Sequence, residues 1–104
     1  MDKEKKLLCD DHEKCIKASE FLSALSNPNR VAIVCFLTTG RKNVSEIVNK
    51  LKLPQSSVSL QLAKLLDKGW IVKEREGRKV FYKIKNQDFK KILVKISENF
   101  LDNK

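Results

Sequence analysis

The feature that most restricts how this 104-residue chain can fold is a pair of short amphipathic segments on either side of Pro54. Asn43-Val44-Ser45-Glu46 offers an N-cap with an acid three positions on, and Val44, Ile47, Val48 and Leu51 follow at i, i+3, i+4, i+7, the stripe of an amphipathic helix. Only Lys52-Leu53 intervene before Pro54, which suits a first helical turn, and Val58, Leu62 and Leu65 carry a second stripe up to Gly69. Two short helices joined by a tight turn make a helix-turn-helix. The next residues change period: Trp70-Ile71-Val72 and Val80-Phe81-Tyr82-Lys83-Ile84 are β-branched and aromatic runs around Arg75-Glu76-Gly77-Arg78. They read as two strands and a glycine-containing turn, which adds a wing.

The rest of the chain reads as helix. Leu8, His12, Cys15, Ile16, Ala18, Phe21, Leu22 and Leu25 recur at helical spacing before the Asn27-Pro28-Asn29 break. Val31 and Ile33 to Leu37 then form an apolar run that ends at Thr38-Thr39-Gly40, an element expected to be buried on most sides. After Asn86, a good cap, Phe89, Ile92, Leu93, Ile96 and Phe100 share one helical face that a domain this small leaves uncovered. The expected fold is mainly α with a small β-hairpin: one winged helix-turn-helix domain over residues 1–104, dimerising through its N- and C-terminal helices. The first residues mix both charges and no run of about 20 apolar residues occurs, so neither a leader nor a membrane span is expected. Three cysteines without a disulfide framework's spacing fit a reducing compartment, the cytoplasm.

Charge points to the partner. The net charge is +9, and residues 26–91 carry 15 basic against 5 acidic side chains while the flanks are nearly neutral. A basic centre between dimerising ends fits nucleic acid, although a solvated lysine-rich face has the same composition. Beside the apolar stripe of the second helix, Ser57, Gln61, Lys64 and Lys68 fall at i, i+4, i+7, i+11, while Ser56, Ser59 and Leu60 point more nearly away from it. Glutamine pairs bidentately with adenine, serine and lysine bond to bases or phosphates, and an exposed leucine meets a thymine methyl. Arg75, Arg78 and Lys79 surround the hairpin tip, within reach of phosphates or the minor groove, with Glu74 and Glu76 diluting their charge. Trp70, Phe81 and Tyr82 are available as stacking platforms, but aromatics beside a hairpin more often pack it against helices.

Two stretches, LSALSNPNRVAIVCFL from Leu22 and NVSEIVNKLKLPQSSVSLQLAKLLDKGWIVKEREGRKVFYKI from Asn43, resemble the ArsR/SmtB family of winged-helix repressors. The resemblance implies a dimeric repressor released from its operator, an imperfect palindrome of double-stranded DNA, by a chemical signal. Gln55, Ser56, Ser57, Ser59 and Gln61 match the family's recognition-helix positions and Gly77-Arg78 its wing, with Leu60 and Gln61 departing from the residues common there. The family's Cys-x-Cys metal site is occupied by Asn43-Val44-Ser45, and His12 is the only histidine, so neither usual zinc site is expected and no cofactor is assigned. Cys35 matches a reactive cysteine of the redox- and sulfide-sensing branch. That branch pairs it with a C-terminal cysteine absent here, leaving Cys15 as a substitute partner.

Cys9, His12 and Cys15, at i, i+3, i+6, are a second option as ligands for a thiophilic metal. A Cys9–Cys15 bridge within one helix is excluded, since six residues rise about 9 Å. A buried core thiol is the plain alternative for Cys35. Two other classes compete with a DNA-binding regulator. An enzyme lacks any nucleophile-base pair or phosphate loop here, and a winged-helix protein-interaction module calls for a more apolar second helix than Ser56, Ser57, Ser59, Gln61, Lys64 and Lys68 provide.

Overall fold

Side-chain caps fix where four of the helices begin. In the computed structural model, which describes residues 11–101, the last two by backbone alone, Asp11 accepts from the Lys14 N–H at 2.8 Å and opens α1 (His12–Ala24). Asn27 accepts from the N–H groups of Asn29 and Arg30 and, with Pro28 following, opens α2 (Pro28–Leu37). Asn43 and Glu46 bond reciprocally at 2.8 and 2.9 Å, the capping box that starts α3 (Val44–Leu51). Asn86 caps α5 (Gln87–Ile96), which runs into a π-helical turn, Ser97–Leu101. Each cap satisfies N–H groups that have no partner inside the helix.

The turn between α3 and α4 (Gln55–Asp67) passes through Lys52 in the left-handed region, φ 59°, so a non-glycine residue makes the reversal. Pro54 stands one place before α4 as its cap rather than inside its first turn. The wing consists of β1 (Ile71–Glu76) and β2 (Lys79–Ile84), antiparallel, with Glu76 opposite Lys79 and only Gly77-Arg78 between them. Gly77, φ +65°, supplies the backbone that a two-residue hairpin turn demands. Arg75 and Glu76 therefore lie on β1, not in the turn where the sequence pattern put them, and Lys79 opens β2 beside the tip. Lys42 adds a single antiparallel bridge to Tyr82, tying the residue before the α3 cap to the wing.

One core joins these elements: Ile33, Val34 and Leu37 of α2, Ile47 of α3, Val58, Leu62 and Leu65 of α4, Ile71 and Ile84 of the hairpin, and Phe89 and Leu93 of α5. Trp70 packs with Phe21 and Phe89, ring centroids 5.6 and 4.8 Å away, so α1 is pinned to the body through Phe21. Tyr82 packs against the same core. The apolar face expected of α5 is corrected here, because Phe89 and Leu93 belong to the protomer's own core. What α5 leaves open is Ile92, 42% exposed, with half-buried Ile96 beside it in a shallow groove rimmed by Lys91, Lys95 and Asn99, and Val94 on another flank. On α1, Ile16 and Leu22 are exposed. No helix of the described residues is long and apolar enough to cross a membrane.

Candidate nucleic-acid interface

The inward stripe of α4 decides which of its residues remain available. Val58, Leu62 and Leu65 are fully buried, so the opposite side presents Ser56, Leu60 and Ala63, with Gln55 and Ser59 also exposed. Ser57 is half-buried. Gln61 is only 6% exposed, and its Oε1 accepts from Arg30 Nε at 2.9 Å. The structure thus places Gln61 away from the outward face expected of it: at i+3 from Val58 and i−4 from Leu65 it shares the core face, and its amide oxygen is engaged by Arg30. Lys64 and Lys68 follow Gln61 along the helix and are exposed, but they line a cleft of about 510 Å³ against Ser19 and Ser23 of α1. They flank the outward face rather than forming its centre.

Arg30 was not legible as a functional residue. Besides Gln61 it donates from Nη1 to the Ser23 carbonyl at 2.9 Å, in the last turn of α1. A cation in the first turn of α2 is badly placed for that helix's own dipole and well placed for the carbonyl end of α1. Its position is the one signal that hinted at a task. The guanidinium thus links α2 to both α1 and α4.

A second arginine organises the wing. Arg41 donates to Glu74 at 2.9 Å, pairs with Glu76, and lies 4.0 Å over the Phe81 ring. Glu74 also pairs with Lys83. Hydrogen bonds from Lys83 and Arg41 hold the Glu74 carboxyl below the usual carboxylate range, and those Arg41 donates to Glu76 and Glu74 raise its own pKa. The two acids that dilute the wing in sequence are therefore engaged, while Arg75, Arg78 and Lys79 are exposed and bond to no acid among the described residues. Phe81 carries Arg41 and Trp70 packs inward, so neither ring is laid out as a stacking platform. Nothing in the sequence distinguished Arg41 from the other cations around it.

Cys35 is a free thiol, half-buried on α2, and burial pushes its pKa up. The thiolate is thereby disfavoured, which makes Cys35 a slower nucleophile than an exposed cysteine. Its alkylation rate by iodoacetamide should rise about tenfold per pH unit and keep rising beyond about pH 8.5, where an ordinary cysteine begins to level off. A plateau there would contradict the burial effect. Cys15 is disulfide-bonded. The exclusion of a Cys9–Cys15 bridge assumed one helix through both residues, but α1 begins only at His12, and Cys9 lies outside the described residues. The Cys9, His12, Cys15 ligand set falls partly outside them as well. Among the described residues no group of three His, Cys, Asp or Glu side chains is placed to hold a metal.

Helix-turn-helix, wing and exposed polar face agree with the comparisons to known proteins. The sequence model of bacterial regulatory proteins of the arsR family matches residues 27–73, and the nodulation protein NolR of Rhizobium meliloti is 30% identical over 94 residues, 90% of this chain and 77% of NolR. The chain belongs to the ArsR family. The transcriptional repressor SmtB of Mycobacterium tuberculosis is 42% identical to this ArsR-family protein over 67 residues, 64% of this chain but only half of SmtB. Reduced HlyU from Vibrio cholerae superposes with a TM-score of 0.81 over 86% of this chain and 95% of HlyU, at 28% identity. This ArsR-family protein shares the winged-helix fold of HlyU.

Proposed function

We propose that the protein is a homodimeric transcriptional repressor that binds an imperfectly palindromic operator in the cytoplasm, with residues 1–104 acting as one functional domain. The observation that carries this reading is the pairing of an exposed polar α4 face with a wing whose cations, Arg75, Arg78 and Lys79, bond to no acid among the described residues while its own acids are engaged by Arg41 and Lys83. Gln55, Ser56 and Ser59 are the proposed base- and phosphate-contacting residues at the start of α4, with Ser57 at its edge, and Lys64 and Lys68 take phosphates from the flank. The uncovered Ile92 and Ile96 of α5 and the exposed Ile16 and Leu22 of α1 support a dimer through these helices. Two reading heads then address half-sites about one helical turn apart.

Footprinting on genomic fragments tests the proposal. A protected palindrome with half-sites at that spacing is expected, and binding that never exceeds that to bulk DNA would refute it. The wing's phosphate binding separates from base reading by its salt dependence. Arg78→Ala should weaken operator and random DNA alike and reduce the slope of log affinity against log salt by about one for each phosphate that is no longer neutralised. A loss confined to the operator would assign Arg78 to base reading instead.

The proposed release signal is modification of the Cys35 thiol. Its support is that α2, which carries Cys35, packs on α3, α4, β2 and α5, so a bulkier sulfur there strains the seat of the reading helix. The family neighbour HlyU has been solved in a form described as reduced. Since Cys15 is disulfide-bonded, a bond from it to Cys35 requires thiol–disulfide exchange. Operator affinity of wild type and Cys35→Ser, each reduced and oxidised, decides the matter. A response unchanged in Cys35→Ser would leave Cys35 as a core residue.

A further inference from the structure

Five large apolar side chains stand exposed among the described residues: Ile16 and Leu22 on α1, Ile92 and Val94 on α5, and Leu60. The first four lie on the terminal helices. Leu60 lies on neither; it is 53% exposed in the middle of α4, opposite the buried Val58, Leu62 and Leu65. Its outward neighbours are Ser56 one turn before and Ala63 nearly one turn after, both small. The leucine therefore protrudes from a face otherwise made of small and polar groups. Gln61, the neighbouring residue able to read a base by hydrogen bonds, is withdrawn by Arg30.

We propose that Leu60 is a specificity-determining residue of the operator complex and that it reads the 5-methyl group of one thymine in each half-site. The inference rests on the reading that α4 enters the major groove. A leucine has no donor or acceptor, so it cannot discriminate the hydrogen-bonding edges of bases. The one apolar group a base pair presents in the major groove is the thymine methyl. Contact with it removes exposed leucine surface from water and leaves no base-edge donor or acceptor unpaired, whereas a cytosine or purine edge placed against Leu60 would lose water without compensation.

The experiment begins with selection of sites from a random synthetic duplex pool by the full-length protein; unmethylated DNA leaves thymine as the only source of the methyl. Each thymine of the selected operator is then replaced by uracil, which deletes the methyl and nothing else. One thymine per half-site should respond, its replacement weakening wild-type binding about threefold to tenfold. Leu60→Ala should bind the thymine and uracil operators equally and accept other bases at that position, with its melting temperature and oligomeric state unchanged, since the side chain is exposed. The proposal is overturned if no thymine responds, if the response persists in Leu60→Ala, or if Leu60→Ala leaves operator binding untouched and so points to another partner for the leucine. Failure to enrich any sequence would defeat the operator reading, and this inference with it; enrichment without a responsive thymine defeats this inference alone.

Discussion

Replacing Ile92 with aspartate is expected to leave a folded monomer that has lost most of its operator affinity. Ile92 is 42% exposed, so the protomer's core does not depend on it, and the incoming carboxylate sits beside Lys91 and Lys95 at the rim of the groove. In a dimer the same carboxylate is buried against apolar surface, where a charge is far more costly than in water. Two linked reading heads bind DNA more tightly than one by an effective-concentration factor of about 10² to 10⁴, so a loss of about a hundredfold or more is expected. Sedimentation equilibrium at micromolar concentration checks the assembly, a thermal melt the fold, and a titration the affinity. A variant that stays dimeric, or a monomer that binds the operator as wild type does, would remove α5 from the interface.

The architecture was legible because local signals agreed with one another. The Asn43/Glu46 capping box, the Pro54 break and the change of period at Trp70 each appear in the structure within a residue or so of where the pattern puts them. The site was less legible, for a reason that Gln61 illustrates. A polar side chain adjoining an apolar stripe reads as solvent-facing unless a partner for it is known, and its partner, Arg30, is 31 positions away in the chain. The same holds for Phe89 and Leu93, whose periodicity announces an apolar face without saying whether the protomer or its mate covers it. Arg41 is the extreme case, since only the fold brings Glu74, Glu76 and Phe81 around it. Long-range polar pairs leave no periodic trace, so the positioning residues of this interface were the ones sequence could not supply.

The link between Arg30 and Gln61 leads to the other large effect. Either Arg30→Ala or Gln61→Ala should reduce operator affinity by about ten- to a hundredfold, the equivalent of a hydrogen bond to a charged group at about 1.5–3 kcal/mol. Neither residue is proposed to touch a base, so the loss should spread over every position of the half-site as α4 shifts, instead of relaxing one base pair. Phosphate-driven binding to random duplex should be nearly unchanged, because the cations of the wing are undisturbed. The two substitutions remove the same interaction, so the double variant should be little worse than the poorer single one. Gln61→Glu keeps an acceptor for the guanidinium and should retain most of the affinity, whereas Arg30→Lys, with a single ammonium for both Ser23 and Gln61, should recover only part of it. Paired titrations on operator and random DNA, with melts alongside, measure all of these. Additive losses, or a specificity change at a single base pair in Gln61→Ala, would mean that Gln61 leaves Arg30 and reaches the groove after all.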